Sequence, residues 1–132
     1  MQIVIFTLGN EKFALETQLI DGIEKVLNIT RVPNTQGYIK GLANLRGNII
    51  TIIDLKKYLR MDNIMNEENV IILQADDERI GLMVDSVHEV IEITDDMLEK
   101  SGDNVEYIKG IVNFKEYIVT LLEGEKLLSR RE

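Results

Sequence analysis

An internal repeat constrains this chain of 132 residues more than any other feature. The segments Tyr38–Leu59 and Tyr107–Leu128 match without a gap, and both contain Tyr-Ile-Lys-Gly. Earlier in the chain Glu11–Leu15 matches Glu78–Leu82 at a slightly shorter offset, so the two halves differ by a short stretch of loop. A self-match in the same order across nearly the whole chain predicts two copies of one supersecondary unit.

Each copy is rich in β-branched runs bounded by turn residues, the pattern of short strands. Gly9-Asn10-Glu11 and Asp76-Asp77-Glu78 are typical of hairpin turns. Helical pieces are expected at Asp54–Leu59 and at Glu123–Ser129, and Thr94 is expected to cap a helical turn. The predicted strands are Gln2–Leu8, Lys12–Leu15, Ile49–Ile53, Asn69–Ala75, Arg79–Val84 and Ile118–Leu122. Of these, Ile49–Ile53 and Ile118–Leu122 are expected to be buried.

Several short strands at close spacing favour small barrels. We therefore predict one mostly β domain, 1–132, in which two similar barrels from the internal duplication lie side by side, each too small to be very stable alone. The simple repeat halves are 1–66 and 67–132. If strands are exchanged between the halves, subdomain one is approximately 15–65, and subdomain two is approximately 1–14 plus 66–132.

Composition excludes several function classes. The chain carries 15 Lys and Arg against 23 Asp and Glu, a net charge of −8, which disfavours nucleic acid and anionic membrane surfaces as partners. Without cysteine it forms no disulfide or thiolate metal site. Apolar runs are far shorter than the roughly 18 residues that span a bilayer, and no signal peptide is evident, so we expect a cytoplasmic protein without membrane insertion.

Candidate catalytic residues are few, and we predict that the protein is not an enzyme, with no cofactor and no metal. His88 is the single histidine and would share a strand face with Ser86, but alternation makes it a solvent-facing residue. Asp95-Asp96 could act as an acid–base pair, yet acids at a helix start explain it. The acidic hairpin Asp76–Glu78 lacks the spacing of a calcium loop.

Two features are harder to explain by folding alone. Arg46 stands beside a turn in an acidic protein and could be a surface residue or an interface anchor. Apolar residues three apart in Ile20–Val26 and in Val87–Val90 suggest a bend or bulge. They could be core, or they could border a groove between the barrels that receives an amphipathic helix.

The residues in Arg31–Asn34, Tyr38–Leu55 and Gly81–Val90 resemble the signatures of the CheW-like domain family. The resemblance covers almost the whole chain. It departs at Thr51, where the family usually has proline; Thr51 matches Thr120 of the other copy, so we interpret it as a tolerated strand residue. The chain ends soon after the domain, which favours a free-standing member over one fused to a receiver or kinase.

The resemblance implies two SH3-like five-stranded β-barrels with a core between them, short helices and a C-terminal helix. It implies a chemotaxis adaptor in the cytoplasm, recruited to membrane receptor arrays, which couples the cytoplasmic tip of methyl-accepting chemoreceptors to the regulatory domain of the histidine kinase CheA. An adaptor of a non-chemotaxis signalling array is the alternative, and a small enzyme using Asp95, Asp96 or His88 is a remote one. The kinase-facing surface is expected on the second barrel. By similarity, the receptor-binding groove comprises Val4, Ile20, Ile23, Arg46, Val84 and Val87.

Overall fold

The computed structural model of the protein describes residues 1–25, 28–62, 69–100 and 105–128. Strands dominate these residues, and the helices are short. The elements in chain order are β1 Gln2–Leu8, β2 Glu11–Glu16, β3 Ile20–Lys25, β4 Ile39–Leu45, β5 Asn48–Asp54, α1 Leu55–Tyr58, β6 Asn69–Ala75, β7 Glu78–Val84, β8 Ser86–Glu92, β9 Leu98–Glu99, β10 Ile108–Asn113, β11 Ile118–Leu122 and α2 Gly124–Leu128, with 3₁₀ turns at Thr17–Leu19 and Asp95–Met97. No helix within the described ranges is long and apolar enough to cross a membrane.

The mostly β prediction is confirmed, and its physical reasons are visible at the turns. Gly9 and Asp76 adopt φ of 62° and 55° at the two predicted hairpins, the left-handed conformation that such turns require. The side chain of Asp54 accepts a hydrogen bond from the Lys57 amide and so begins α1. The helical turn expected after Thr94 is a 3₁₀ turn over Asp95–Met97, with Thr94 at its N-cap. Val26 and Ser129, which ended two predicted segments, lie outside the described residues.

Two sheets contain all the strands of the described residues and exchange their hairpins. Sheet 1 has the order β3-β6-β7-β5-β4, and sheet 2 the order β8-β1-β2-β11-β10-β9. The first hairpin of each repeat therefore lies in the sheet built by the rest of the other repeat. The expected exchanged division assigned 66–84 to subdomain two, whereas β6 and β7 pair within sheet 1. Because the two copies are equivalent, the exchange is reciprocal: β1 and β2 lie in sheet 2, and β6 and β7 lie in sheet 1. Closure of each sheet into a barrel stays a prediction.

The pairing registers of the two repeats are the same. In sheet 2 Phe13 of β2 pairs in parallel with Thr120 of β11, and in sheet 1 Ile80 pairs with Thr51. The repeat match aligns Phe13 with Ile80 and Thr51 with Thr120, so the two pairings are equivalent. The bulge in β3 between Ile20 and Gly22 has its counterpart in β8 opposite β1, as the apolar spacing predicted. The duplication seen in the sequence is therefore a duplication of structure.

The glycine of the repeated Tyr-Ile-Lys-Gly motif is required by a close backbone approach. Gly41 has φ of +151°, and a Cβ there would overlap the carbonyl oxygen of Thr30, which pairs with Leu42. At Gly110 a Cβ would lie 2.7 Å from the carbonyl oxygen of Glu99. A side chain would push away the segment that crosses here in each copy.

Three apolar clusters stabilise the fold. The largest, which we call the central core, draws residues from both sheets and from α1 and α2, so it joins the two units. Sheet 2 has its own cluster around Ile3, Val119 and Leu121, and sheet 1 one around Ile52 and Ile72. The buried members of the central core are Phe6, Leu8, Phe13, Leu15, Ile53, Leu55, Ile71, Leu73, Ile80, Leu82, Val84, Leu122, Leu127 and Leu128.

Candidate partner-binding site

Arg46 is exposed but held in place by two polar contacts. It lies in the turn between β4 and β5 with φ of 54°, and its side chain crosses to β3, at the far end of the sheet 1 order. Its Nε donates to Glu24 Oε2 at 2.7 Å, and its Nη1 donates to the carbonyl oxygen of Asp21 at 3.2 Å. The Arg46 side chain keeps 50% of its surface exposed. The guanidinium is thus oriented and still available to a partner.

A glycine on β3 makes room for this guanidinium. A Cβ at Gly22 would lie 2.5 Å from Arg46 Nη2 and 2.8 Å from Arg46 Cζ. Those distances are too short for real contacts, so any side chain at Gly22 would displace the arginine tip. Gly22 is a residue that the sequence did not single out, because its contact with Arg46 depends on the curvature of the sheet.

Apolar residues on β3 and β8 border the seam between the sheets. Ile20 pairs with Leu73 and Val87 pairs with Phe6, and both Ile20 and Val87 pack partly buried against the central core. One step outward along β3, Ile23 is 41% exposed. The apolar surface of this strand therefore runs from the core toward solvent.

Val90 is the repeat equivalent of Ile23 and is 55% exposed. We call Ile20, Ile23, Val87 and Val90 the paired edge residues. They lie on the end strands of the two sheet orders, so they carry apolar surface from the central core out to solvent. Val90 belongs to the apolar spacing pattern of the sequence, but the predicted groove does not include it.

Val4 and Val84 lie elsewhere. Val4 is 4% exposed on β1, where it pairs with Leu15 and Val90, and Val84 is fully buried in the central core. Neither side chain presents surface to a partner in this structure, because β1 and β7 are each flanked by strands on both sides and covered by apolar packing. A place in the receptor groove stays a prediction for both residues.

The candidate catalytic residues do not form a constellation in the described part of the chain. His88 is exposed, and its Nε2 lies 3.2 Å from Ser86 Oγ, which lies 2.7 Å from Thr7 Oγ1. Asp95 and Asp96 lie exposed in a 3₁₀ turn, with neither hydrogen-bonded to His88. Among the described residues, no three His, Asp or Glu side chains are grouped so that they could hold a metal ion.

A family model described as the CheW-like domain matches residues 2–132. The chain belongs to the CheW-like domain family. Its curated relatives include the chemotaxis protein CheW of Klebsiella aerogenes, 33% identical over 99% of this chain and 83% of the relative. The chemotaxis protein CheW of Bacillus subtilis is 27% identical over 98% of this chain and 87% of the relative.

A solved structure supports the same assignment. The crystal structure of the scaffolding protein TtCheW from Thermoanaerobacter tengcongensis matches with a TM-score of 0.83 and 30% identity. The match covers 92% of this chain and 87% of the other. The resemblance inferred from the sequence motifs is therefore confirmed at the level of family and fold.

In this CheW-like domain a second pair of exposed apolar residues lies at the starts of β5 and β11. Ile49 is 75% exposed and Ile118 is 57% exposed, at the same position of the two repeats. The prediction that Ile49–Ile53 and Ile118–Leu122 are buried throughout is wrong at their first residues. Strand alternation directs Ile50, Ile52 and Val119 inward, and the exposed residues stand beside the hairpin turns.

Proposed function

We propose that this CheW-like domain is a chemotaxis scaffold adaptor that couples the cytoplasmic tip of a chemoreceptor to the regulatory domain of the histidine kinase CheA. The contacts are non-covalent. The observation that carries the proposal is the exposed apolar surface of the paired edge residues beside an oriented, half-exposed arginine. A surface of this kind suits an amphipathic helical partner, whose apolar face covers the edge residues while a polar group meets Arg46.

The receptor tip is assigned to the seam between the sheets. Ile23 and Val90 supply apolar contacts, Ile20 and Val87 extend them toward the central core, and Arg46 supplies a fixed hydrogen-bond donor. Arginine is among the residue types that are enriched at the binding hot spots of interfaces. The working location is the cytoplasm, where the receptor recruits the protein to the membrane array.

The kinase regulatory domain is assigned to sheet 2, at Ile118 at the start of β11. This residue is an exposed apolar side chain next to Tyr117, whose ring has the Lys12 ammonium 5.2 Å from its centroid. A scaffold that binds both partners on separate surfaces links their states, because each partner biases the same assembly.

A split-binding experiment tests the assignment. Val90→Asp and Ile118→Asp serve as controls for each other, since both place a carboxylate on an exposed strand position. We expect Val90→Asp to weaken binding of a receptor cytoplasmic fragment about tenfold or more and to spare CheA binding, and Ile118→Asp to do the reverse. Surface plasmon resonance with each partner separately provides the measurement.

Three results would contradict the proposal. Loss of both partners in both variants, or of neither, would reject the two-surface assignment. Receptor binding without any affinity for CheA would favour an adaptor of a non-chemotaxis array. Transfer of phosphate from CheA to His88 would replace the adaptor with a phosphoacceptor.

A further inference from the structure

A concavity on sheet 1 concentrates positive charge in an acidic protein. It has a volume of about 490 Å³ and lies between the loop 31–37, strand β4 and helix α1. Arg31, Lys40 and Lys57 line it and are exposed. Within the described residues, none of these three side chains makes a hydrogen bond or an ion pair. Three unpaired cations in one concavity create a local field opposite in sign to the net charge of −8.

Sheet 2 neutralises Lys109 and Lys126, the repeat equivalents of Lys40 and Lys57. Lys109 Nζ donates to Glu16 Oε2 at 2.7 Å, and Lys126 Nζ lies 3.6 Å from Glu106 Oε1. The hydrogen bond to Glu16 raises the pKa of Lys109 above 10.5, against the opposing effect of burial. Both of these lysines therefore have an acidic partner in sheet 2.

Sheet 1 lacks both acidic partners. Lys40 and Lys57 are the repeat equivalents of Lys109 and Lys126. The repeat equivalent of Glu16 is Met83, which is buried, and the repeat equivalent of Glu106 is Gly37. Two copies of one unit thus differ in this respect: the charges that cancel in sheet 2 are left uncancelled in sheet 1. Folding alone does not require the difference, because sheet 2 folds with the pairs in place.

A buried carboxylate in the same concavity restricts the ligand. Asp54 lines it and is 1% exposed, and its Oδ1 accepts from the Lys57 amide while its Oδ2 has no hydrogen-bond partner in the described part of the chain. An inorganic polyanion brings no N–H donor for this carboxylate. A peptide brings both, a backbone N–H and a carboxylate side chain on the same molecule.

We propose that this concavity binds an acidic peptide segment of a partner protein, with a Glu or Asp carboxylate among Arg31, Lys40 and Lys57. Its volume falls within the range of about 300–1,000 Å³ that is usual for ligand pockets. The site shares no lining residue with the paired edge residues or Arg46, so it adds a contact beyond those of the proposed function.

NMR titration of the ¹⁵N-labelled full chain tests this site. The probes are acetylated, amidated hexapeptides with two or three glutamates among alanine and serine, and the same peptides with glutamine in place of glutamate. We expect amide shifts at residues 31–40 and 54–57 with glutamate peptides alone, and dissociation constants of about 10 μM to 1 mM. Binding should weaken as salt is raised, because the charges are exposed.

Two charge variants provide the decisive comparison. Gly37→Glu installs the acid that the second repeat has at Glu106, and a Cβ at Gly37 meets no atom within 4 Å, so the chain should fold normally. We expect it to weaken peptide binding about tenfold or more. Lys115→Glu, at an exposed hairpin turn, lowers the net charge further and should change affinity less than about twofold. Thermal melts check that both variants are folded.

Four outcomes would overturn the proposal. They are equal binding of glutamine peptides, shifts outside the concavity, no shifts with any peptide at about 5 mM, and unchanged affinity in folded Gly37→Glu. Displacement of the peptide by inorganic phosphate at equal concentration would also overturn it, in favour of a general anion site.

Discussion

The ammonium nitrogen of Lys56 lies 2.8 Å from Oδ1 of Asp85, although Lys56 is only 1% exposed. The other carboxylate oxygen, Oδ2, accepts a hydrogen bond from the Gly9 amide at 2.6 Å. Asp85 stands between β7 and β8, where the chain passes from sheet 1 to sheet 2, and Gly9 lies in the β1–β2 turn of sheet 2. The Asp85 carboxylate therefore connects α1, which follows β5 of sheet 1, with the β1–β2 hairpin of sheet 2.

Replacing Asp85 by Ala should destabilise the protein by about 3–5 kcal/mol, because the buried Lys56 ammonium loses its ion pair with Asp85. Urea unfolding monitored by circular dichroism measures the loss. Asp77→Ala, at an exposed hairpin tip, is the control and should change the unfolding free energy by about 0.5 kcal/mol or less. A loss below about 1 kcal/mol in Asp85→Ala would show that the buried pair is not needed for stability.

Gly22→Ala should separate binding from folding. The added methyl group displaces the tip of Arg46, which is a flexible side chain, so the unfolding free energy should change by less than about 1 kcal/mol. Receptor binding should fall nearly as far as in Arg46→Glu. The measurement is receptor-fragment affinity beside a melting curve. Full receptor affinity in Gly22→Ala would show that the orientation of Arg46 against β3 does not matter.

Ile20 and Ile23 should respond differently to the same substitution. Ile20 packs against the central core, so Ile20→Asp places a charge there and should cost more than about 2 kcal/mol of stability. Ile23 is 41% exposed, and Ile23→Asp should stay folded while losing the receptor. Chemical unfolding and receptor binding together distinguish them. Equal destabilisation by the two variants would place Ile23 in the core as well.

The ion pair of Lys109 with Glu16 should make stability sensitive to alkaline pH. The hydrogen bond to Glu16 raises the pKa of Lys109 above its ordinary value of 10.5 in the folded protein. A raised pKa favours the folded state below pH 10.5, and this contribution is lost as pH rises through the folded pKa.

Glu16→Gln should therefore destabilise the protein at neutral pH, and its difference from the parent should shrink above pH 10.5. Urea unfolding across this range tests it, with Glu116→Gln, an exposed turn residue, as the control. A difference that stays constant with pH would mean that Lys109 is not the titrating group.

Local sequence determined the strands but not their partners. Gln2–Leu8, Asn69–Ala75 and Ile118–Leu122 were predicted with the bounds that the structure has, because β-branched runs end at turn residues. The assignment of β6 and β7 to sheet 1 depends on contacts between distant segments, which no local pattern encodes. The self-match of the sequence did reveal the repeat, and the matched registers follow from it.

The candidate site was predictable only in part. Apolar spacing pointed to Ile20, Ile23 and Val87. The predicted set also contained Val4 and Val84, which are buried, because the sequence alone does not distinguish a core valine from a surface valine. The contact between Arg46 and Glu24 could not be read from the sequence, because a turn residue with positive φ directs the side chain across to another strand.

The exchange of hairpins has a consequence for how the two repeats depend on each other. A repeat produced by itself would hold a hairpin without its receiving strands and strands without their hairpin, and the central core would lose one of its two sides. Two such fragments mixed together would each supply what the other lacks. The arrangement is that of an intertwined dimer whose subunits have become consecutive stretches of one polypeptide.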